Sequence, residues 1–170
     1  MSVQTDYAVL TLNIKGGQAK AEDLSKAAGY GFSPDELSAK INEKTQLLKG
    51  VDIKVVVHLY PKARRFFIEV QPPSTTALLL KKAGVSEPSG DPAHKKVGDI
   101  KMRDVIEVAI SKKHELNTTD LKKAVKTILG SARSIGLTVE GLDPKEVTAK
   151  LERGEYDSLL REYEDIWSKF

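Results

Sequence analysis

Lys123, Lys126, Thr127, Arg133 and Ser134 gather around Gly130 at helical spacing. Cations so placed neutralise phosphates, and small hydroxyls hydrogen-bond sugars or phosphates. A glycine among them lets a second backbone come close, because no Cβ stands in the way. This is binding chemistry rather than catalysis. Elsewhere the chain offers little to a reaction. His58, His94 and His114 are the only histidines, and none has metal-ligand spacing with a carboxylate or cysteine. There is no cysteine, which removes disulfides and thiolate sites. Gly29-Tyr30-Gly31-Phe32 does not extend to a dinucleotide fingerprint, and no lysine follows a glycine run as in a P-loop. The expectation is a non-enzyme with no catalytic residue, metal, cofactor or small-molecule substrate.

A helix from about Asp120 to Gly136 must position the cluster. Counted from Leu121 at ~100° per residue, Ala124, Val125, Ile128, Ala132 and Ile135 form one stripe, with Leu129 on its flank. That stripe is a core face. Gly130 falls at ~180°, directly opposite. A glycine inside a helix costs ~1 kcal/mol relative to alanine, and nothing in the core stripe explains it. A flat face of this kind suits the wide, shallow minor groove of RNA, with its 2′-hydroxyls. Two bland explanations stand beside this one: Gly130 ends a shorter helix, or it admits a neighbouring helix. Ala132 and Ile135 keep the apolar phase beyond the glycine, which argues against the first.

Around that helix the chain reads as α+β in two domains. Tyr7 to Ile14 alternates as a strand, and Ala19 to Ala28 reads as a short helix. Ser33-Pro34-Asp35-Glu36 is a helix start: a Ser cap, Pro at the first position, then acids at the positive dipole end. Val51 to Tyr60 and Arg64 to Val70 make a hairpin, with the phenylalanines of Arg64-Arg65-Phe66-Phe67 expected on the core face. Residues 1–71 are therefore a small α/β sandwich-like domain, a sheet with helices. Pro72-Pro73 is a stiff linker. Residues 74–141 are helical, with helices over Thr76 to Ala83, Lys101 to Lys112 and the 120–136 segment. A long loop from Gly84 to Gly98 carries a basic cluster, and Leu137-Thr138-Val139 reads as a short strand. Asp143-Pro144-Lys145-Glu146 opens a helical extension over 142–170, whose Tyr156, Tyr163, Trp167 and Phe170 either dock on a neighbour or pack on the chain itself.

Charge supports an anionic partner. Residues 1–139 hold 22 Lys and Arg against 15 Asp and Glu, whereas residues 140–170 hold 5 against 9. A basic body with an acidic tail fits a nucleic-acid ligand for the body. An ordinary solvated surface, or a basic helix meeting an acidic protein partner, remains open at this point. Salt separates RNA from the protein partner, because phosphate contacts weaken steeply as it rises. No apolar run approaches the ~20 residues of a membrane span, and Met1 to Tyr7 lacks a signal-peptide core. A cytoplasmic protein is expected.

Gly130-Ser131-Ala132-Arg133-Ser134-Ile135-Gly136-Leu137 resembles the signature of the universal large-subunit ribosomal protein eleven family. The resemblance continues in Pro72-Pro73-Ser74-Thr75-Thr76-Ala77-Leu78-Leu79-Leu80-Lys81-Lys82-Ala83-Gly84, in Ser89-Gly90-Asp91-Pro92-Ala93-His94-Lys95-Lys96-Val97-Gly98, and in Asp120-Leu121-Lys122-Lys123-Ala124-Val125-Lys126. It covers residues 72–142 nearly end to end; the loop resembles the archaeal form, and the tail from Asp143 to Tyr163 resembles the archaeal and eukaryotic extension. It implies a C-terminal three-helix bundle with a short parallel β-ribbon. That domain would bind the GTPase-associated segment of large-subunit rRNA at the stalk base. It also implies an N-terminal domain near the stalk's scaffold protein and transiently engaged translational GTPases. By position Gly130, Ser131 and Ser134 would be close RNA contacts, with Lys82, Lys95, Lys96 and Lys126 as phosphate partners. One stretch departs. Members carry a proline-rich run after Gly16-Gly17, whereas here Gln18 to Ala28 contains no proline. That puts the N-domain's contacts with RNA, factors and thiazole antibiotics in doubt.

Overall fold

The computed structural model describes residues 6–170; Met1–Thr5, part of the polar N-terminal segment, lie outside the described residues. Two compact units result, Met1–Pro73 and Ser74–Phe170.

The first unit is built on a three-stranded antiparallel sheet of order β1-β2-β3: β1 Ala8–Lys15, β2 Asp52–Tyr60 and β3 Arg65–Gln71. The β-branched run takes the centre. Ile53, Val55, Val57 and Leu59 point inward at period 2 and are buried, with Leu12, Ile68 and Val70 from the flanking strands. Register places Leu12 opposite Val55 and Val57 opposite Ile68. Helix α1, Pro34–Lys44, starts as its sequence predicts: Ser33 accepts from the Glu36 N–H and Pro34 sits in the first turn. The segment read as a helix over Ala19 to Ala28 is instead a 3₁₀ helix, Ala21–Tyr30. Its buried residues, Leu24 and Ala27, are three apart, and at three residues per turn they share one edge. The end of α1 holds the entry to this segment. Asn42 accepts from the Ala19 N–H at 2.7 Å and donates to its carbonyl at 3.0 Å, while Thr45 accepts from the Gly17 N–H at 2.9 Å. Of the hairpin phenylalanines, Phe66 packs edge-on against Phe32, but Phe67 is 53% exposed on the outer face. Only one of the pair lies on the core face, and it is half-buried there, because neighbouring residues on a strand face opposite sides.

The second unit carries α2 Thr75–Ala83, α3 Met102–Ser111 and α4 Leu121–Ile135, with a two-stranded parallel ribbon of β4 Gly98–Ile100 and β5 Leu137–Val139. The expected apolar face of α3 (Met102, Val105, Ile106, Ala109 and Ile110) is buried throughout. The extension forms α5 Pro144–Glu152 and α6 Asp157–Lys169, and both pack within this unit, α5 on α4 and α6 on α3 and α4. Three of the four tail aromatics therefore pack on the chain itself: Tyr163, Trp167 and Phe170 are buried, while Tyr156 is half-buried. The Trp167 indole N–H donates to the Thr119 carbonyl at 3.1 Å, and the Lys113 ammonium lies 4.8 Å from its ring centroid. Thr119 immediately precedes the cap of α4, so α6 pins the start of that helix. Trp167→Phe keeps most of the apolar volume and removes the hydrogen bond. It should cost on the order of 1–2 kcal/mol in urea unfolding, and an unchanged midpoint would show that this bond contributes nothing.

Candidate nucleic-acid interface

Helix α4 begins at Asp120, whose carboxylate accepts from the Lys122 N–H at 2.9 Å. It runs through the glycine without a break and ends at Gly136, in the left-handed region at φ 87°. Leu121, Ala124, Val125, Ile128, Leu129, Ala132 and Ile135 are all buried. Gly130 is exposed, and a Cβ built on it would meet nothing within 4 Å. Neither bland explanation holds: the helix continues past Gly130, and among the described residues no neighbouring helix occupies the space. Along the adjoining face each hydroxyl donates back to its own helix, Thr127 to the Lys123 carbonyl at 3.2 Å, Ser131 to Thr127 at 3.3 Å and Ser134 to Ser131 at 2.8 Å. With the hydrogens directed inward, lone pairs face outward, ready to accept from donors such as 2′-hydroxyls.

The 84–98 loop is docked on the C-terminal end of α4. The Ser89 N–H donates to the Ile135 carbonyl at 2.9 Å and the Val97 N–H to the Gly136 carbonyl at 2.8 Å. Between these anchors Asp91 closes a turn, its carbonyl accepting from the His94 and Lys95 N–H groups. The Lys96 ammonium donates to the Pro92 carbonyl at 2.8 Å. Loop and helix together enclose a groove of about 340 Å³ lined by Pro92, Ala93, Lys96, Gly130, Arg133, Ser134 and Asp143.

The structure thus brings Lys96, Gly130, Arg133 and Ser134 together, with Lys123, Thr127 and Ser131 further along the exposed side of α4 and Lys95 exposed on the loop. Lys82 stands apart on α2. Its ammonium is bonded to Glu107 of α3 at 2.8 Å, with Asp104 at 4.0 Å. Two other expected phosphate partners already have carboxylates: Lys126 pairs with Glu152 at 2.8 Å and Arg133 with Asp143 at 3.1 Å. The N–H of Lys145 and then the guanidinium of Arg133 hold the Asp143 carboxyl below the usual aspartate range, and the hydrogen bond from Lys126 does the same for Glu152. Both are ionised at neutral pH. Asp143, Pro92 and Ala93 are groove residues that the sequence pattern does not single out. Asp143 is legible as a helix cap but not as a neighbour of Arg133. Among the described residues no three His, Asp or Glu side chains gather as a metal cluster, and no helix is long and apolar enough to cross a membrane.

Residues 71–139 match the family described as Ribosomal protein L11, RNA binding domain. The match takes in α2, α3, α4 and the parallel ribbon, and every groove residue except Asp143. Curated relatives extend the match over almost the whole chain. The large ribosomal subunit protein uL11 of Saccharolobus islandicus is 48% identical over 92% of this chain and 91% of its own length. That of Metallosphaera sedula is 49% identical over 92% and 91%. A chain from the large ribosomal subunit of Haloarcula marismortui is 34% identical over 40% of this chain and 97% of its own, with a TM-score of 0.39. The chain belongs to the uL11 family of large ribosomal subunit proteins, and these relatives are archaeal.

Proposed function

We propose that the chain is a non-enzymatic constituent of the large ribosomal subunit, working in the cytoplasm, that clamps the GTPase-associated segment of large-subunit rRNA at the stalk base. Residues 74–141 hold the RNA and residues 1–71 lie toward the stalk's scaffold protein and the translational GTPases. Pro72-Pro73 joins them as a stiff linker. The observation that carries this reading is the open space over Gly130 in an unbroken helix, beside a groove with Lys96, Arg133 and Ser134. An interior glycine that meets nothing in its own fold is explained by a ligand whose backbone comes close. Gly130, Ser131 and Ser134 make the close contacts, and Lys123, Lys95 and Lys96 supply charge to phosphates. In the N-terminal unit the proline-free stretch has become a 3₁₀ segment held by Asn42 and Thr45, so the surface offered to factors differs from the proline-rich kind.

The test is a titration of the full chain with a transcript of that rRNA segment across a salt series. Affinity should fall log-linearly with salt, by about 0.7–0.9 in slope for each phosphate neutralised. Lys123→Ala should make the slope shallower by about one such unit and weaken binding to every RNA alike. A salt-independent affinity, or equal affinity for an acidic polypeptide, would overturn the reading.

A further inference from the structure

Helix α4 carries three of its four cations on one flank, and each of the three already faces a carboxylate. At ~100° per residue Lys122, Arg133 and Lys126 fall within ~40° of one another, to one side of Gly130. Lys122 pairs with Asp157 at 3.4 Å, Arg133 with Asp143 at 3.1 Å and Lys126 with Glu152 at 2.8 Å. All three carboxylates come from the acidic extension, and α5 packs directly on α4. The other flank carries Thr127, Ser131, Ser134 and Lys123, and Lys123 has no ion-pair partner among the described residues.

Stability does not call for this arrangement. The six side chains are between 34% and 56% exposed, and ion pairs at that exposure contribute little to folding. Their effect on a polyanion is larger. A carboxylate at ion-pair distance cancels the local field that attracts phosphate. Binding to arbitrary RNA is almost wholly electrostatic, so it loses most. RNA that also seats a backbone against Gly130 gains contacts that do not depend on charge, and loses proportionally less.

We propose that Asp143 and Glu152 are selectivity-determining residues: internal counter-charges that withhold Arg133 and Lys126 from arbitrary RNA and yield them to RNA already seated over Gly130. The proposal rests on reading α4 as the RNA-binding face. It gives the negative charge of the extension a role beside the packing of α5 and α6 on the core.

The test uses the full chain carrying D143N and E152Q together. Asparagine caps a helix as well as aspartate, so α5 keeps its start, and E152Q alone serves as a second variant without any change at the cap. Affinity is measured for the rRNA-segment transcript and for an unrelated RNA duplex of equal length across a salt series. The double variant should bind the duplex about tenfold more tightly at low salt. Its slope should steepen by about one to two units, ~0.7–0.9 for each cation released. The transcript should gain about threefold or less, so selectivity falls. E152Q alone should show about half the slope change. A control, E164Q with D165N, removes the same charge from α6 instead, where Asp165 pairs only with Lys169 among the described residues, and should leave selectivity unchanged. An unaltered duplex affinity and slope in D143N/E152Q, or an equal gain in the control, would overturn the proposal while leaving the α4 reading intact. A wild-type chain that does not bind the transcript would overturn both.

Discussion

Gly130→Leu should leave the protein folded, slightly more stable, and unable to hold its RNA. Leucine is a good helix former and glycine a poor one, so the exchange should stabilise α4 by about 0.5–1 kcal/mol. A Cβ at this position meets nothing within 4 Å, and the groove of about 340 Å³ beside it gives the rest of the side chain room. On the RNA side the isobutyl group occupies the volume that a sugar–phosphate backbone would need. Excluding the RNA from the centre of its interface in this way should cost about 2–4 kcal/mol, some 30- to 1000-fold in affinity. Gly130→Ala should fall between, with the full gain in helix stability and part of the loss in binding. Thermal melting and a gel shift on the same preparations read the two effects separately. A leucine variant that binds like the wild type would show that RNA does not approach this face. A lower melting temperature would show that Gly130 packs against something in the fold.

Opposed effects on stability and binding are what mark such a glycine, and this one is legible from the helical wheel. Its position depends only on helical periodicity, a local property, and α4 keeps that phase over fifteen residues between Asp120 and Gly136. Helix starts are equally legible where the pattern is full, because a Ser or Asp side chain reaches only two or three residues along its own backbone: Ser33 caps α1 as its spacing predicts, and Asp143 caps the helix that Asp143-Pro144-Lys145-Glu146 marks. Errors arise where periodicity is ambiguous or the segment is short. Residues Ala21–Tyr30 carry two buried apolar side chains three apart, a spacing that fits a 3₁₀ helix and an α-helix alike. Strand β4 spans three residues, too few for any alternation to show, and only the family resemblance implied its ribbon. Ion pairing is not legible at all. Lys126 and Glu152 meet because Val147 and Leu151 bury the apolar side of α5 and thereby bring it against α4. The cations that composition assigns to an external anion thus spend part of their charge internally, and only packing reveals which ones.

Gly136→Val should undock the loop that forms one wall of the groove. The φ of 87° lies in the left-handed region, where a β-branched residue is strained by about 1–3 kcal/mol. A Cβ here would also stand 2.6 Å from the Ser89 Cβ and 3.2 Å from the Lys95 carbonyl. Overpacking of that kind costs typically about 1–3 kcal/mol more. The chain can relieve both by releasing the loop, since its two anchors, Ser89 N–H to Ile135 and Val97 N–H to Gly136, lie beside the clash. The packing of α2, α3 and α4 in the core does not depend on those anchors. The expected outcome is therefore a unit that stays helical, is destabilised by on the order of 3 kcal/mol, and exchanges the amides of residues 89–97 quickly. RNA affinity should fall with it, because Pro92, Ala93 and Lys96 leave the groove. Hydrogen exchange separates this from simple unfolding: fast exchange confined to 89–97 supports the docked-loop account, and fast exchange across α4 refutes it. Gly130→Leu and Gly136→Val thus reach the same loss of binding from opposite directions, one by filling the space above a rigid face and the other by removing the wall beside it.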